Sequence, residues 1–460
     1  MKTIEIKEYQ KEYKTNSDAS ESVVVSIPIV SSVDGVVDKT EIITYEFDKE
    51  YDQYFCYDRC DGIVVQLFWH AMRTKYDNIV CKYPMSELLW YNLTYNIIPQ
   101  IALCSEGKSK KVSLDVPLTK EQYHPTRPGM GMSRGIDSFA TFYEYYDFPL
   151  EDYRVAQLTY YNVGAHHGQG VKDRTMRERY LGQLVGTKAF CEEYNFPLLA
   201  VDTNLHQFYF DMFKFVRFDR THIYRNLGCT LMFQKLFSKY YYSSSYNLNQ
   251  FEVGVDLDHA HHEKWLIPLL STENTTTISS NQDWERIDKT RFVADKEGCN
   301  NYLLVCFSED KNCGKCAKCQ RTLMQLDSLG GNYLDKFANS FDLKEYYEND
   351  RIRWFNDIDN LMVNGLLACT YVEAFYEALK NRPELVLNSG HVTKFDTPLK
   401  LSVKTSGLNV RKNPELGSPI LYRMPRGFKI ECDLECDGWC KVVLQDGTIG
   451  WSLRKYFEEL

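Results

Sequence analysis

The segment 129–142 combines residue types that can bind phosphate. It is rich in glycine up to Gly135, and an apolar helical pattern follows. Amides at the start of a helix lack intrahelical acceptors and lie at the positive end of the helix dipole, so they can hold an anion. Ser133 and Ser138 add hydroxyl donors. Asp137 repels phosphate unless a divalent cation lies between them, so its presence predicts Mg²⁺.

Four cysteines form a second chemical pattern, C-x6-C-x2-C-x2-C, at Cys306, Cys313, Cys316 and Cys319. Two-residue gaps let successive sulfur atoms face one centre. Four thiolates then complete the tetrahedral coordination of Zn²⁺ and leave no open position for water. The spacing predicts a structural zinc site. Iron–sulfur ligation is the alternative metal chemistry, and four unligated thiols are the alternative without a metal.

The two patterns together resemble a known superfamily. Residues 133–138, S-R-G-I-D-S, resemble the S-G-G-x-D-S signature of the PP-loop ATP pyrophosphatases, which are adenine nucleotide alpha-hydrolase-like proteins. The cysteine run, which continues to Arg321, resembles the zinc site of the 7-cyano-7-deazaguanine synthases of that superfamily. Residues 269–272 and 286–290 look like the superfamily sequence between the two motifs. The resemblance covers residues 120–340.

This resemblance implies an ATP-dependent, carbon–nitrogen ligase-like enzyme. ATP adenylates a small-molecule carboxylate with release of pyrophosphate, and ammonia or an amine then displaces AMP to form an amide, nitrile or conjugate. The implied cofactors are ATP, Mg²⁺ and Zn²⁺. Catalysis is assigned to Arg134, Asp137 and Ser138. Nucleotide contacts are assigned to Met132, Ser133, Gly135, Ile136, Asn162, Gly164, His166 and Asp202.

Arg134 stands where the superfamily has glycine. An arginine there can obstruct pyrophosphate, add a positive charge to its site, or mark a protein that has lost turnover. The alternative function is therefore a non-catalytic nucleotide-binding regulatory or scaffold protein. A capped helix without any ligand is the simplest alternative for the loop itself. A tRNA-modifying thiolase is disfavoured, because zinc would occupy the clustered thiols.

Polar residues also follow two predicted strands. Asn162, Gly164, His166 and His167 come at the end of the strand that begins at residue 157. Asp202 ends the next strand and can bind ribose or adenine, or cap the helix after it. An imidazole after a strand can move a proton or contact substrate, although a surface position is the alternative for both histidines. The histidines of segment 258–263 are predicted to lie on a solvated face rather than to bind a second metal.

Hydrophobic periodicity predicts the elements that must position these residues. Residues 1–120 indicate an N-terminal α/β domain, with an amphipathic helix from Asp61 to Arg73. Strands that alternate with helices over 121–340 predict a doubly wound parallel sheet with its ligand site at the carboxyl ends of the strands. The resemblance implies that this sheet is of the PP-loop, HUP-like class. Residues 341–395 are predicted to be a helical extension and linker.

The last segment, 401–460, is predicted to be a small all-β barrel. L-N-V-R from Leu408, G-W-C-K-V from Gly438 and G-T-I-G-W from Gly447 resemble a bacterial SH3-like domain. In such a barrel Val442 and Ile449 are expected to point inward. The resemblance implies a protein or peptide partner, or docking within the chain; a stabilising appendage is the alternative.

Composition limits the remaining function classes. The chain has 460 residues, a formal charge of −9 and fifteen cysteines. Its acidic balance and lack of a basic run disfavour duplex nucleic acid as the main partner. It also lacks a signal peptide pattern and an apolar run long enough for a membrane span. We therefore expect a cytoplasmic protein with reduced thiols. The sequence leaves open whether it forms a homodimer.

Overall fold

The structure is a computed structural model of two units, Met1–Lys311 and Asn312–Leu460. It describes residues 1–16, 19–166, 175–254, 257–306, 309–363 and 368–460.

Thirteen strands are described in the first unit. They are β1 (Lys2–Ile6), β2 (Gln10–Thr15), β3 (Glu21–Val33), β4 (Val36–Asp48), β5 (Asn78–Cys81), β6 (Met85–Ser86), β7 (Ser113–Asp115), β8 (Leu118–Thr119), β9 (Arg127–Gly131), β10 (Gln157–Asn162), β11 (Leu198–Thr203), β12 (Phe237–Tyr242) and β13 (Thr276–Ser279). Eleven of these described strands form one sheet in the order β13-β12-β9-β10-β11-β4-β3-β1-β5-β7, with β2 beside β3, while β6 and β8 pair separately.

Parallel pairing dominates this sheet. The five strands from β13 to β11 are parallel to one another, and so are β1, β5 and β7. The long β3–β4 hairpin joins the two parallel parts: β4 is antiparallel to β11, with Val201 opposite Phe47, and β3 is antiparallel to β1. The mixed α/β class and the parallel character of the sheet agree with the prediction from periodicity.

The α-helices described in the first unit connect these strands. They are α1 (Asp61–Arg73), α2 (Glu87–Tyr91), α3 (Ile98–Cys104), α4 (Ile136–Tyr145), α5 (Met176–Glu193), α6 (Leu205–Phe213), α7 (His222–Leu231), α8 (Glu263–Leu269), α9 (Arg286–Val293) and α10 (Glu297–Tyr302). A π-helix, Asn92–Ile97, lies between α2 and α3.

Helix α1 lies in the main hydrophobic core, with twelve of its thirteen residues buried. The core also contains the inner side chains of β3 and β4, together with apolar residues of α6 and α7. Helices α1 and α7 approach closely at two glycines, because a Cβ atom on Gly62 would lie 2.3 Å from the carbonyl oxygen of Gly228. The helix predicted from Asp61 to Arg73 is confirmed with both of its ends, but it is buried on all sides rather than on one apolar face.

The second unit contains helices followed by an antiparallel sheet. Its described α-helices are α11 (Ala317–Ser328), α12 (Leu343–Glu345), α13 (Arg351–Asn356), α14 (Ile358–Val363) and α15 (Ala368–Asn381). Its described strands are β14 (Val392–Val403), β15 (Leu408–Arg411), β16 (Ile420–Met424), β17 (Lys429–Cys436), β18 (Trp439–Val443), β19 (Ile449–Leu453) and β20 (Phe457–Glu459). They form one sheet in the order β16-β15-β19-β18-β17-β14-β20.

This antiparallel sheet encloses a small core of its own, which includes Leu401, Val410 and Val442. Val442 is buried as predicted. Ile449 is only partly buried, because it pairs with the exposed Val443 rather than with Val442. Among the described residues, we find no helix with the length and apolar character of a membrane span.

Candidate functional site

The glycine-rich segment forms the strand–loop–helix that its composition predicts. Strand β9 ends at Gly131, and α4 begins at Ile136 with Gly135 as its extended N-cap residue. The amide of Met132 donates to the carbonyl of Thr159 in β10 at 2.8 Å, which fixes the start of the loop against the neighbouring strand. The first turn of α4 directs amides without intrahelical acceptors toward the loop. We name residues 132–138 the phosphate loop.

Side chains in the phosphate loop divide between the core and the turn. Met132 and Ile136 are fully buried, so only their backbone can contact a ligand. The hydroxyl oxygens of Ser133 and Ser138 lie 3.3 Å apart, and Ser138 also donates to the carbonyl of Gly135 at 2.9 Å. The exposed Ser133 hydroxyl therefore lies at the mouth of the turn, and Ser138 is an internal brace of it.

Two cations from α9 neutralise Asp137. Its carboxylate accepts from the guanidinium of Arg286 and lies 3.4 Å from the ammonium of Lys289. Lys289 is fully buried and also donates to the carbonyl of Ser244, just past the end of β12. The negative charge of Asp137 is thus offset by protein cations. The sequence assigned that part to Mg²⁺.

A third cation, whose side chain is largely covered, extends this group. The ammonium of Lys264 contacts Ser244 and lies 3.1 Å from the carboxylate of Glu263, whose second oxygen has no hydrogen-bond partner among the described residues. Burial lowers the pKa of Lys264, although Glu263 and Asp137 oppose that shift. We define Asp137, Glu263, Lys264, Arg286 and Lys289 as the basic cluster. It sets three cations against two carboxylates at the start of α4.

Arg134 points away from the basic cluster. Its backbone has a φ of 62°, and its side chain is 7% exposed. The guanidinium donates to the Thr187 hydroxyl at 3.2 Å, to the Gln183 carbonyl at 2.9 Å and to the Tyr302 carbonyl at 3.4 Å. Burial lowers the pKa of Arg134. These contacts hold the guanidinium under α5.

The ends of β10 and β11 lie side by side, because Asn162 is directly opposite Asp202 in their parallel register. The amide of Asn162 donates to the Asp202 carboxylate at 2.6 Å, and Arg177 pairs with the other carboxylate oxygen at 2.8 Å. Burial raises the pKa of Asp202 even though both partners oppose it. Strand β9, which leads into the phosphate loop, is the next strand in the sheet. The predicted site residues of three strands therefore meet at one sheet edge.

The residues after β10 are also close to α5. His166 is buried, and its Nε2 atom lies 2.9 Å from the hydroxyl of Tyr160. That hydroxyl donates to the Gln183 side chain at 3.1 Å. Gly164 has a φ of 109°, and a Cβ atom there would lie 2.4 Å from the guanidinium of Arg225. His166 is thus part of an internal polar network rather than of a surface loop. His167 lies outside the described residues.

The four predicted metal ligands come together. One ligand atom from each of Cys306, Cys313, Cys316 and Cys319 lies within 4.8 Å of the others. The amide of Cys316 donates to the sulfur of Cys313 at 3.3 Å, a contact that stabilises thiolate character. Cys306 and Cys319 are buried, so the centre is shielded on one side. This donor set fits a tetrahedral metal such as Zn²⁺.

Comparison with known families adds an assignment for the second unit. Residues 406–458 match the bacterial SH3 domain family. Strands β15 to β19 all lie within this SH3 domain, and its edge strand β16 exposes Ile420, Leu421 and Tyr422. A protein partner is consistent with such a domain. No curated protein and no solved structure matches the chain significantly.

Sequence reasoning missed most of the basic cluster. Arg286 and Lys289 lie three residues apart on one helix, a spacing that places both on the same face. That spacing alone could have indicated two neighbouring cations, but residues 286–290 were considered only for their resemblance to the superfamily. Lys264 carried no signal, because its position depends on packing between α8 and the end of β12. The neighbouring His259 and His262 were expected on a solvated face, and that prediction is wrong: both are buried, and His259 packs edge-on against Trp69.

Proposed function

We propose that the chain is an ATP-dependent adenylating enzyme of the carbon–nitrogen ligase type. The observation that carries this proposal is the basic cluster at the start of α4. Lys289 and Arg286 are buried cations within reach of the phosphate loop, and the excess of one positive charge there suits a polyphosphate. The helix amides and the Ser133 hydroxyl supply uncharged donors to the same anion.

The edge of the parallel sheet suits the rest of a nucleotide. Ligands of open parallel sheets bind beyond the carboxyl ends of the strands. Asn162 and Asp202 occupy that position beside the phosphate loop, where Asp202 can accept hydrogen bonds from ribose hydroxyls. The proposed arrangement places the triphosphate over α4 and the nucleoside over β10 and β11.

The proposed reaction is amide formation in two steps. A carboxylate oxygen of the substrate attacks the α-phosphorus of ATP. The bond between the α-phosphorus and the oxygen that bridges it to the β-phosphate breaks, so pyrophosphate leaves. Ammonia or an amine then attacks the acyl adenylate and expels AMP, with loss of one proton. The basic cluster favours the first step, because its cations stabilise the charge that develops on the leaving pyrophosphate.

Magnesium fits this site as an ion carried by the nucleotide. Asp137 already pairs with two cations, so a magnesium ion held only by Asp137 would displace Arg286. Mg²⁺ usually keeps several waters and is bound through substrate phosphates together with one or two carboxylates. When bound in this way, it neutralises phosphate charge alongside Lys289 and Arg286.

Binding and turnover test the proposal separately. We expect calorimetry to detect pyrophosphate and Mg·ATP binding, and Lys289→Met to weaken pyrophosphate binding about tenfold, since a charge-assisted contact is lost. Arg291→Met is the matched control: it removes an exposed cation from the same helix and should bind normally. Thermal unfolding verifies that both variants fold.

Products then decide between enzyme and binder. Purified protein is incubated with Mg·ATP, ammonia and a panel of aromatic and deazapurine carboxylates, and AMP and pyrophosphate are measured. We expect both products in equal amounts with a matching carboxylate. Binding of ATP without turnover on any carboxylate would support the non-catalytic nucleotide-binding scaffold instead, with the SH3 domain recruiting a protein partner. Absence of pyrophosphate binding would contradict both.

A further inference from the structure

Arg134 connects the phosphate loop to two other parts of the first unit. Its guanidinium donates to Thr187 and Gln183 of α5 and to the carbonyl of Tyr302. Its own carbonyl accepts from the amide of Leu304 at 2.9 Å. The side chain of this loop residue therefore reaches the last residue of α10, and its backbone reaches the segment that follows.

That segment leads directly to the first metal ligand. Tyr302 and Leu304 precede Cys306 by four and two residues. On the other side of Cys306, the carbonyl of Glu309 accepts from the Gln183 side chain at 3.0 Å. The chain around Cys306 is thus tied on one side to Arg134 and on the other to α5, and α5 itself holds Arg134. The phosphate loop and the chain around Cys306 therefore share one hydrogen-bonded frame.

Helix α5 is shaped to admit this guanidinium. A Cβ atom on Gly186 would lie 2.3 Å from Nη1 of Arg134 and 2.6 Å from its Cζ atom. Gly186 lies in the middle of an 18-residue helix, where glycine is unfavourable. A glycine at this position is explained by the space that Arg134 requires.

We infer that Arg134 is a positioning residue that couples metal binding at the cysteine cluster to anion binding at the phosphate loop. A metal on Cys306 restrains the segment 302–306, and that segment holds Arg134 in its left-handed conformation at φ 62°. The loop conformation that presents Ser133 and the α4 amides depends on this restraint. The inference rests on the proposed function in taking the loop as the anion site. Coupling between two sites is reciprocal, so an anion on the loop must also strengthen metal retention.

Arg134→Gly separates the coupling from the loop conformation. The left-handed region costs free energy for a residue with a Cβ atom, and glycine adopts it freely. The variant therefore keeps access to the same turn while it loses the three guanidinium contacts. The backbone bond from the Leu304 amide to the carbonyl of residue 134 also remains. We therefore expect pyrophosphate still to bind, but to affect the metal much less.

The experiment measures zinc release from the full chain to a chromophoric chelator, with and without magnesium pyrophosphate. For the wild type we expect pyrophosphate to slow release roughly fivefold or more. Free pyrophosphate competes for zinc and acts in the opposite direction. Arg134→Gly should show clearly weaker protection, and Arg291→Gly, which changes an exposed arginine, should behave as the wild type. Equal protection in Arg134→Gly and wild type would overturn the inference.

A second measurement does not depend on the anion. Hydrogen exchange is followed at the amides of 302–306 and 132–138 while zinc is withdrawn. We expect exchange to rise in both segments of the wild type, and Gly186→Ala to raise it in the loop with zinc still bound, because its methyl group displaces Arg134. Unchanged loop exchange after zinc loss would overturn the inference. Failure of pyrophosphate binding with coupled exchange intact would instead contradict the proposed function.

Discussion

Asp137 and Glu144 lie on one side of α4 but in different electrostatic surroundings. Asp137 faces two cations that compensate its charge. Glu144, two turns later, accepts from the amide of Asn281 at 2.6 Å, and burial raises its pKa to about 7, with Asp283 adding to the shift and Lys289 opposing it. The positive potential of the basic cluster is therefore concentrated at the start of α4, where the phosphate loop lies.

Glu144→Gln should change how stability depends on pH. The pKa of Glu144 is raised from 4.5 to about 7, so the folded state holds a proton that the unfolded state releases between these values. Stability of the wild type therefore falls as pH rises through that window. Glutamine keeps an acceptor for Asn281 and does not titrate. Thermal unfolding is measured at pH 4.5, the lower end of this window, and at pH 8, above its upper end of about 7. The variant should have a higher Tm than the wild type only at the higher pH.

Glu151→Gln is the control for this experiment, because it removes a carboxylate that is exposed to solvent rather than buried. Its Tm should follow that of the wild type at both pH values. A Tm difference for Glu144→Gln that is the same at pH 4.5 and pH 8, values that bracket the titration, would mean that Glu144 is charged throughout and that its burial has less effect than we infer.

At the level of elements, the contact between α1 and α7 holds the antiparallel and parallel parts of the sheet on one core. The two helices touch backbone to backbone at Gly62 and Gly228. Helix α7 also carries Arg225, which reaches the carbonyl of Val163 at the end of β10. The spacing between α1 and α7 therefore affects the strand end beside the phosphate loop.

Gly62→Ala should destabilise the first unit. The new Cβ atom would lie 2.3 Å from a backbone oxygen, which cannot move without moving α7. Overpacking of this kind costs about 3 kcal/mol, and the better helix propensity of alanine returns about 1 kcal/mol, so we expect a net loss of about 2 kcal/mol. Denaturant unfolding measures it.

Gly417→Ala is the control, since a Cβ atom there meets no atom within 4 Å. Its free energy of unfolding should change by less than about 0.5 kcal/mol. A Gly62→Ala variant as stable as this control would show that α1 and α7 can separate without cost, and would remove the packing explanation for the two glycines.

Local pattern predicted the elements better than their pairing. The ends of α1 and the positions of β10 and β11 followed from periodicity, because each is decided by residues near in sequence. The pairing of β4 with β11 joins Phe47 to Val201, and nothing in either strand specifies a partner so far away. The domain boundary predicted at residue 120 stays a prediction, while N-terminal strands share a sheet with β9, β10 and β11, which carry the candidate site.

The candidate site also has a part that the sequence predicts and a part that it does not. Loop and metal motifs were visible because their residues are close in sequence, and the four cysteines do come together. The basic cluster was not visible, because Lys264, Lys289 and Asp137 meet only through packing of α4, α8 and α9. The role of Arg134 also depended on a distant partner, since Gly186 gives no local indication that an arginine lies against it.

For the whole molecule, the excess of acidic residues makes the basic cluster distinctive. The net charge is −9, so the protein surface as a whole does not attract a polyphosphate. Anion binding that persists at moderate ionic strength must therefore come from a local, partly buried group of cations, because screening removes weak surface attraction. The fully buried Lys289 satisfies that condition.

The described thiols divide into a metal cluster and scattered, mostly buried residues. We expect one zinc per purified chain, and Cys316→Ser to lose both zinc and soluble yield, because metal binding contributes to folding free energy. Cys104→Ser is the matched control: Cys104 is also partly exposed but lies outside the cluster, and its variant should retain one zinc. Elemental analysis measures the metal content of the purified proteins. The absorption spectrum of each protein distinguishes an iron–sulfur cluster from zinc. Full zinc content in Cys316→Ser would exclude a four-thiolate site and require another ligand in place of that sulfur.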